Sequence, residues 1–251
     1  MRGEAKAGAP LRVIFFDLGG VLVNVHFERF IEGLARHTGR TPAEVIALRA
    51  SMRSDSRLFD SGGIDGDEFL ERLSRKLDRP LERPLLENLY TDIFSLKEDV
   101  AGLARSLHGR FRLSIISNTD PLHYNYIVGR YPFFSLFEKP VTSFGAGLLK
   151  PDPAIYAFAL RELAVEPEVL LFIDDLEENV AGARHAGMRV LGFSSVTNAS
   201  LDSTSAVEEV SHQSVLEAGK LIVPRLAAVL RSVLRELPPF DPNAVENHAE
   251  V

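Results

Sequence analysis

The 251-residue chain contains no cysteine. That absence excludes disulfide frameworks, cysteine nucleophiles, thiolate zinc sites and cysteine-ligated iron–sulfur clusters, and it fits a reducing compartment. Long apolar runs are also missing. Val13–Phe16 and Val169–Ile173 are far too short to span a bilayer. The opening stretch, MRGEAKAGAP, has no apolar core of signal-peptide length. The expectation is therefore a cytoplasmic, soluble protein with no membrane partner. Cations are outnumbered: Lys+Arg 28 against Asp+Glu 35 gives a net charge of −7. Nucleic-acid affinity rests on clustered cations, so nucleic acid is not an expected partner. Gly 18 and Pro 14 are too few for collagen-like or low-complexity chains. What remains is 45% hydrophobic and 25% charged, the ordinary globular range, in a length suited to one or two domains.

Short apolar runs recur at Leu11–Phe16 (LRVIFF), Phe111–Ile116 (FRLSII) and Val169–Ile173 (VLLFI), with a weaker fourth at Met188–Phe193. Continuous apolar runs of this length fit strands buried on both faces of a parallel sheet. Helical patterns lie between them: Asp99–Leu107, Asp152–Leu163 with Asp152 as N-cap and Pro153 at the first helical position, and Leu176–Ala186 stopping before Gly187. Alternating strand and helix predicts an α/β fold with a doubly wound parallel sheet. From His26 to Leu96 the rhythm breaks. Phe27–His37, Thr41–Ser51, Asp65–Leu77 and Leu81–Phe94 read as helices, the second opened by a Thr41–Glu44 capping box, and no buried strand is expected. The division expected is a core of residues 11–25 and 97–195, a small helical insert of 26–96 and a C-terminal extension of 196–251. In that extension Pro224–Leu237 carries one apolar stripe, suited to packing on its own domain or to a homodimer contact, before a disordered tail.

Four features stand at the carboxyl ends of these strands, where ligands gather in open α/β sheets. Asp17, ahead of Gly19-Gly20, is placed to act as a nucleophile or a metal ligand. Ser117-Asn118-Thr119 offers small polar groups for phosphate oxygens. Lys150, before Pro151-Asp152-Pro153, supplies a fixed positive charge. Asp174-Asp175, with Asn179 one turn on, is a carboxylate pair that repels unless a cation lies between. Hard oxygen donors favour Mg²⁺. Singly, each has a plain alternative: a turn cap, an N-cap, a surface lysine, two solvated acids. Other signatures are absent: no Walker A loop, dinucleotide fingerprint, HExxH or GxSxG occurs.

Together and in this order, FFDLGGVLV, IISNTD, GLLKPDPAIY and FIDDLEENVAGARHAGM resemble the motifs of the haloacid dehalogenase superfamily of hydrolases, over about residues 11–193. The resemblance is nearest to its sugar-phosphate phosphatases with a DLG-type first motif and to the phosphatase module of soluble epoxide hydrolases. It implies a Rossmann-like core with the helical insert as cap, and a phosphatase of small phosphorylated metabolites, sugar phosphates favoured. Asp17 would attack phosphorus and form an aspartyl-phosphate. Mg²⁺ would sit among Asp17, the Gly19 carbonyl and Asp175, with Asp174 acting through water. Ser117 and Asn118 would hold phosphoryl oxygens, and Lys150 would offset developing charge. One departure stands out. Most phosphatases of this family carry a second Asp two residues after the nucleophile, as general acid and base; here that position is Gly19. His26 is the candidate substitute. Cap residues such as Arg57, Asp60 and Asp65 are expected to set specificity. The rival expectations are a 2-haloacid dehalogenase, which needs no Mg²⁺, and a degenerate member that binds a ligand or partner without turnover.

Overall fold

The computed structural model describes residues 11–192. The expected features beyond them, including the apolar stripe of 224–237 and the tail, lie outside the described residues. Seven strands and ten helices are described. β1 (Val13–Phe16), β4 (Arg112–Ser117), β5 (Val141–Thr142), β6 (Leu170–Asp174) and β7 (Arg189–Gly192) form one parallel sheet in the order β5-β4-β1-β6-β7. β1 lies at the centre, and all four of its residues are buried. Its register aligns Phe16 with Ile115 of β4 and Ile173 of β6. The three carboxyl ends therefore finish side by side, at the point where the chain order switches direction.

Alternation along β1 sends Ile14 and Phe16 into one apolar cluster and Val13 and Phe15 into another. The first cluster takes in α6 (Glu98–Leu107) through Val100, Ala101 and Ala104; the second takes in α9 (Pro153–Leu163) through Ile155, Tyr156 and Ala159. Helices cover both faces, so the α/β, doubly wound expectation holds, and the near-continuous apolar strands follow from burial on both sides.

Between β2 (Val23–Val25) and β3 (Phe94–Leu96) lie five helices: α1 (Phe27–Thr38), α2 (Pro42–Ser51), α3 (Arg53–Asp60), α4 (Gly66–Arg75) and α5 (Arg83–Thr91). The Thr41–Glu44 capping box forms as expected: the Glu44 N–H donates to Thr41 Oγ1 and the Thr41 N–H to Glu44 Oε2. Phe59, Phe69 and Leu70 of this block join the same apolar cluster as β1, so helices and sheet share one core. Two expectations need correction. The segment does contain a strand, β3 (Phe94–Leu96), which pairs antiparallel with β2 (Val23–Val25); the helix read as reaching Phe94 stops at Thr91. A three-residue strand has no period to detect, and its partner is some seventy residues away in sequence. The chain leaves the sheet and returns to it through this β2–β3 pair. Among the described residues no helix is long and apolar enough to cross a membrane.

Candidate active site

Asp17 follows β1 directly, and its N–H donates to the Ile173 carbonyl at 2.9 Å, which ties it to β6. Lys150 places its Nζ 2.9 Å from Asp17 Oδ1 and 2.7 Å from Asp174 Oδ2. All three side chains are buried. Asp174, the last residue of β6, also accepts the Leu176 N–H at 2.8 Å and the Asn179 amide at 3.1 Å. Asn179 stands in the first turn of α10 (Glu177–His185), and its carbonyl accepts the Tyr156 hydroxyl at 2.9 Å. Lys150 is gripped at its main chain: its N–H donates to Asn118 Oδ1 at 2.8 Å, and its carbonyl accepts from Asn118 Nδ2 at 2.9 Å. The Lys150–Pro151 peptide is cis.

Asp175 completes an acidic triad: one carboxylate oxygen from each of Asp17, Asp174 and Asp175 lies within 4.8 Å of the others, and all three residues are buried. The Asp17 carboxyl is raised to about 6: burial pushes it up, Lys150 pulls it down, and Asp174 and Asp175 add to the rise. Burial would discharge Lys150, but Asp17 and Asp174 outweigh it and raise its pKa. One lysine balances one of three carboxylates. Lys97 donates to the Gly20 carbonyl and interacts with Asp175, while burial lowers its pKa. The triad keeps an excess of negative charge, held on hard oxygen donors, and a divalent cation such as Mg²⁺ fits that chemistry. Gly20 is part of the fit. At φ +76° it lies so close to Asp175 that a Cβ would stand 2.2 Å from Oδ2; only glycine lets the first-motif turn close over that carboxylate.

The other expected residues fall as follows. Ser117 ends β4, buried, and Ser117, Asn118 and Gly19 line a cavity of about 270 Å³ between the strand ends and the helices. Both ends of the Asn118 amide are engaged by Lys150, and the Thr119 N–H donates to the Ser143 hydroxyl at 3.0 Å, so the Ser117 hydroxyl is the group of this loop that lines the cavity without a hydrogen-bond partner of its own among the described residues. Gly19 has an unstrained φ, and a Cβ there would meet Val25 Cγ2 at 3.5 Å, an ordinary contact. His26 is not brought to this cavity: Nδ1 lies 3.0 Å from Glu28 and Nε2 2.8 Å from the Ser95 hydroxyl. Among the three residues expected to shape specificity, Asp60 lines the cavity, while Arg57 and Asp65 do not. Asp65 instead caps α4 through the Glu68 N–H.

A second polar group in the cavity wall was not anticipated. Asp120, at the start of α7 (Pro121–Arg130), holds His123 Nδ1 at 2.6 Å and accepts the Tyr90 hydroxyl at 2.9 Å; His123 Nε2 lies 3.0 Å from the Tyr90 carbonyl. Burial opposes the charge on both, yet their pairing lowers the Asp120 pKa and raises that of His123. Facing acceptors on both nitrogens, His123 is held as an imidazolium. Nearby Asp60 is pushed up to about 7, first by burial and then by Asp120, with His123 opposing. The only sequence signal was an Asp N-cap before Pro121, which says nothing of Tyr90 or Asp60.

A family model of haloacid dehalogenase-like hydrolases matches residues 11–187. The chain belongs to this family. The hydrolase is 26% identical over 196 residues to D-ribitol-5-phosphate phosphatase of Bacteroides thetaiotaomicron, covering 73% of this chain and 89% of that one. Its match to (S)-2-haloacid dehalogenase 2 of a Pseudomonas species is 30% over 103 residues, 41% of this chain and 45% of that one. With drimenol cyclase drtB of Aspergillus calidoustus it shares 31% over 91 residues, 36% of this chain but only 17% of that protein. A solved HAD family enzyme of B. thetaiotaomicron, in complex with magnesium and inorganic phosphate, superposes with a TM-score of 0.66 at 21% identity, over 81% of this hydrolase and 98% of that chain.

Because the native Asp60 pKa lies above that of a free carboxyl, the folded state holds the extra proton between about pH 4 and pH 7. Stability from this group is greatest below that window and is lost as pH rises through it. Asp60→Asn removes the slope and, at pH 8, raises unfolding stability over the wild type by on the order of 2 kcal/mol. Urea unfolding at pH 4.5 and pH 8 checks this; equal slopes in both proteins would contradict it.

Proposed function

We propose that the hydrolase is a Mg²⁺-dependent phosphatase of small phosphomonoesters that works through an aspartyl-phosphate on Asp17. The observation that carries this reading is the buried Asp17–Lys150–Asp174 chain beside Asp175, opening beside a cavity floored by Ser117 and Asn118. Lys150 and the Leu18 N–H both hold Asp17 Oδ1, at 2.9 and 2.7 Å, which leaves Oδ2 for attack. That oxygen forms a bond to phosphorus as the ester oxygen departs; water then attacks phosphorus, releasing phosphate and restoring Asp17. Lys150 offsets charge on the transferring group, the Ser117 hydroxyl orients its oxygens, and Asn118 positions Lys150. Asp17, Asp175 and the Gly19 carbonyl would hold Mg²⁺, with Asp174 behind them because its oxygens are already engaged by Lys150, Asn179 and Leu176. The metal, when bound, neutralises charge on the phosphoryl oxygens and on the triad.

Lys150 holds the Asp17 carboxyl ionised in a site whose burial favours the proton, so its charge serves nucleophile and substrate alike. The departing oxygen lacks a carboxyl at position 19 to protonate it. Substrates with stabilised leaving oxygens are therefore turned over fastest. The match to a haloacid dehalogenase favours a second reading, attack of Asp17 on carbon. The Asp174–Asp175 pair weighs against it, since two adjacent acids are costly in a site with no cation to hold.

Asp17→Asn is expected to lose at least 10³-fold in phosphate release from p-nitrophenyl phosphate, roughly the scale of removing a nucleophile, while keeping its melting temperature within a few degrees or raising it. Unchanged turnover would remove Asp17 from the mechanism, and chloride release from 2-chloropropionate that persists in EDTA would replace the phosphatase reading with the dehalogenase one. Since position 19 accepts a Cβ at an ordinary contact distance, Gly19→Asp should raise the ratio of alkyl phosphate to p-nitrophenyl phosphate turnover by about 10². An unchanged ratio would mean that the leaving oxygen already receives its proton from another group.

A further inference from the structure

The cavity beside the strand ends is walled on the helical side by Phe27, Phe30, Leu48, Met52, Phe69 and Ile93. All but Phe27 are buried. Its floor is the pair of loops that carry Leu18-Gly19 and Ser117-Asn118, so a phosphoryl group at Asp17 would direct its organic substituent into this space. Some polar groups in the wall are spent. Asp120, His123 and Tyr90 satisfy one another. The Arg49 guanidinium lies over the Phe27 ring, 4.2 Å from its centre. The Arg49 N–H groups, Ser56 and Asp60 remain for a ligand, and burial leaves Asp60 only partly charged near neutral pH.

A polyol needs a partner for each hydroxyl it brings out of water, and every unmet one is a cost. This wall offers three such partners, Arg49, Ser56 and Asp60, among a majority of aliphatic and aromatic carbon. We propose, on the basis of the phosphatase reading, that the cavity accepts an apolar organic group, so that the preferred substrates are phosphomonoesters of alkyl, branched or aromatic alcohols and not of sugars or polyols. The absence of a general acid at Gly19 is compatible with such substrates where the leaving oxygen is aromatic. The volume, about 270 Å³, lies just below the usual range for ligand pockets and sets a limit on the size of the group.

The test is a chain-length series on the full chain with Mg²⁺: n-alkyl phosphates from methyl to octyl for hydrolysis, and the matching alkylphosphonates, which cannot be hydrolysed, for binding by calorimetry. Each methylene that enters the cavity should raise kcat/KM and phosphonate affinity about three- to fourfold until the space is filled. Ribitol 5-phosphate, whose leaving oxygen is a primary alkoxide like that of butyl phosphate, should fall below butyl phosphate, and Met52→Phe should bring the plateau to a shorter chain. Hydrolysis that is flat along the series, or greatest for the polyol phosphates, overturns the proposal and leaves the phosphatase reading intact. Phosphonate affinity that climbs with chain length while no phosphate ester is hydrolysed upholds the apolar cavity and overturns the phosphatase reading. Flat phosphonate binding overturns the proposal whatever the hydrolysis shows.

Discussion

Lys150 brings its ammonium within 2.9 Å of Asp17 and 2.7 Å of Asp174 in a site that water scarcely reaches, and the architecture around it serves to hold those three groups together. Burying charges is expensive, and a buried pair holds only when geometry and further hydrogen bonds compensate both partners. Each partner here comes from a different part of the chain and is fixed separately: Asp17 through its N–H to β6, Asp174 through Leu176 and Asn179, Lys150 through Asn118. Placing β1 between β4 and β6 is what lets these anchors meet. The parallel register brings the strand ends level, and the apolar residues behind them fill both faces of the sheet.

The arrangement divides the work between two parts of the chain. The strand ends carry charge and the groups suited to a phosphoryl transfer, and they are rigid because they continue the sheet. The five helices contribute the far wall of the cavity, which is mostly carbon. Between the two lies Gly19, the position at which the family resemblance leads one to expect a carboxyl. Its neighbour Gly20 is there of necessity, because a side chain would strike Asp175; Gly19 has no such constraint, since a Cβ would fit. The missing acid therefore follows from the residue present and not from crowding of the backbone.

The sheet was legible because its central strands are unbroken apolar runs, and runs of that kind have few other uses in a chain of ordinary composition. The charged cluster was legible as an ordered set of motifs at strand ends, and the structure brings Asp17, Lys150, Asp174 and Asp175 together. What was not legible depends on contacts between distant segments. Strand β3 is three residues long. Helix α3, RSDSRLFD, buries only Phe59 and so shows no apolar stripe. The Asp120–His123–Tyr90 group joins α5 to α7 with no spacing rule to announce it. Asn118 reads as a phosphate ligand in sequence, yet its amide is taken up by the Lys150 main chain, a pairing across thirty-two residues. His26 looked available as a proton donor, but Glu28 and Ser95 occupy its ring.

The central claim is that Asp17, set by Lys150, becomes covalently bonded to the phosphoryl group. Quenching the enzyme in acid during turnover of an aryl phosphate with Mg²⁺, reducing it with borohydride and sequencing the first-motif peptide by mass spectrometry tests this directly. An acyl phosphate is reduced to the alcohol, so a homoserine at position 17, absent when substrate is left out, is the result expected. Phosphate release with an unmodified Asp17 in every quenched sample would contradict the account.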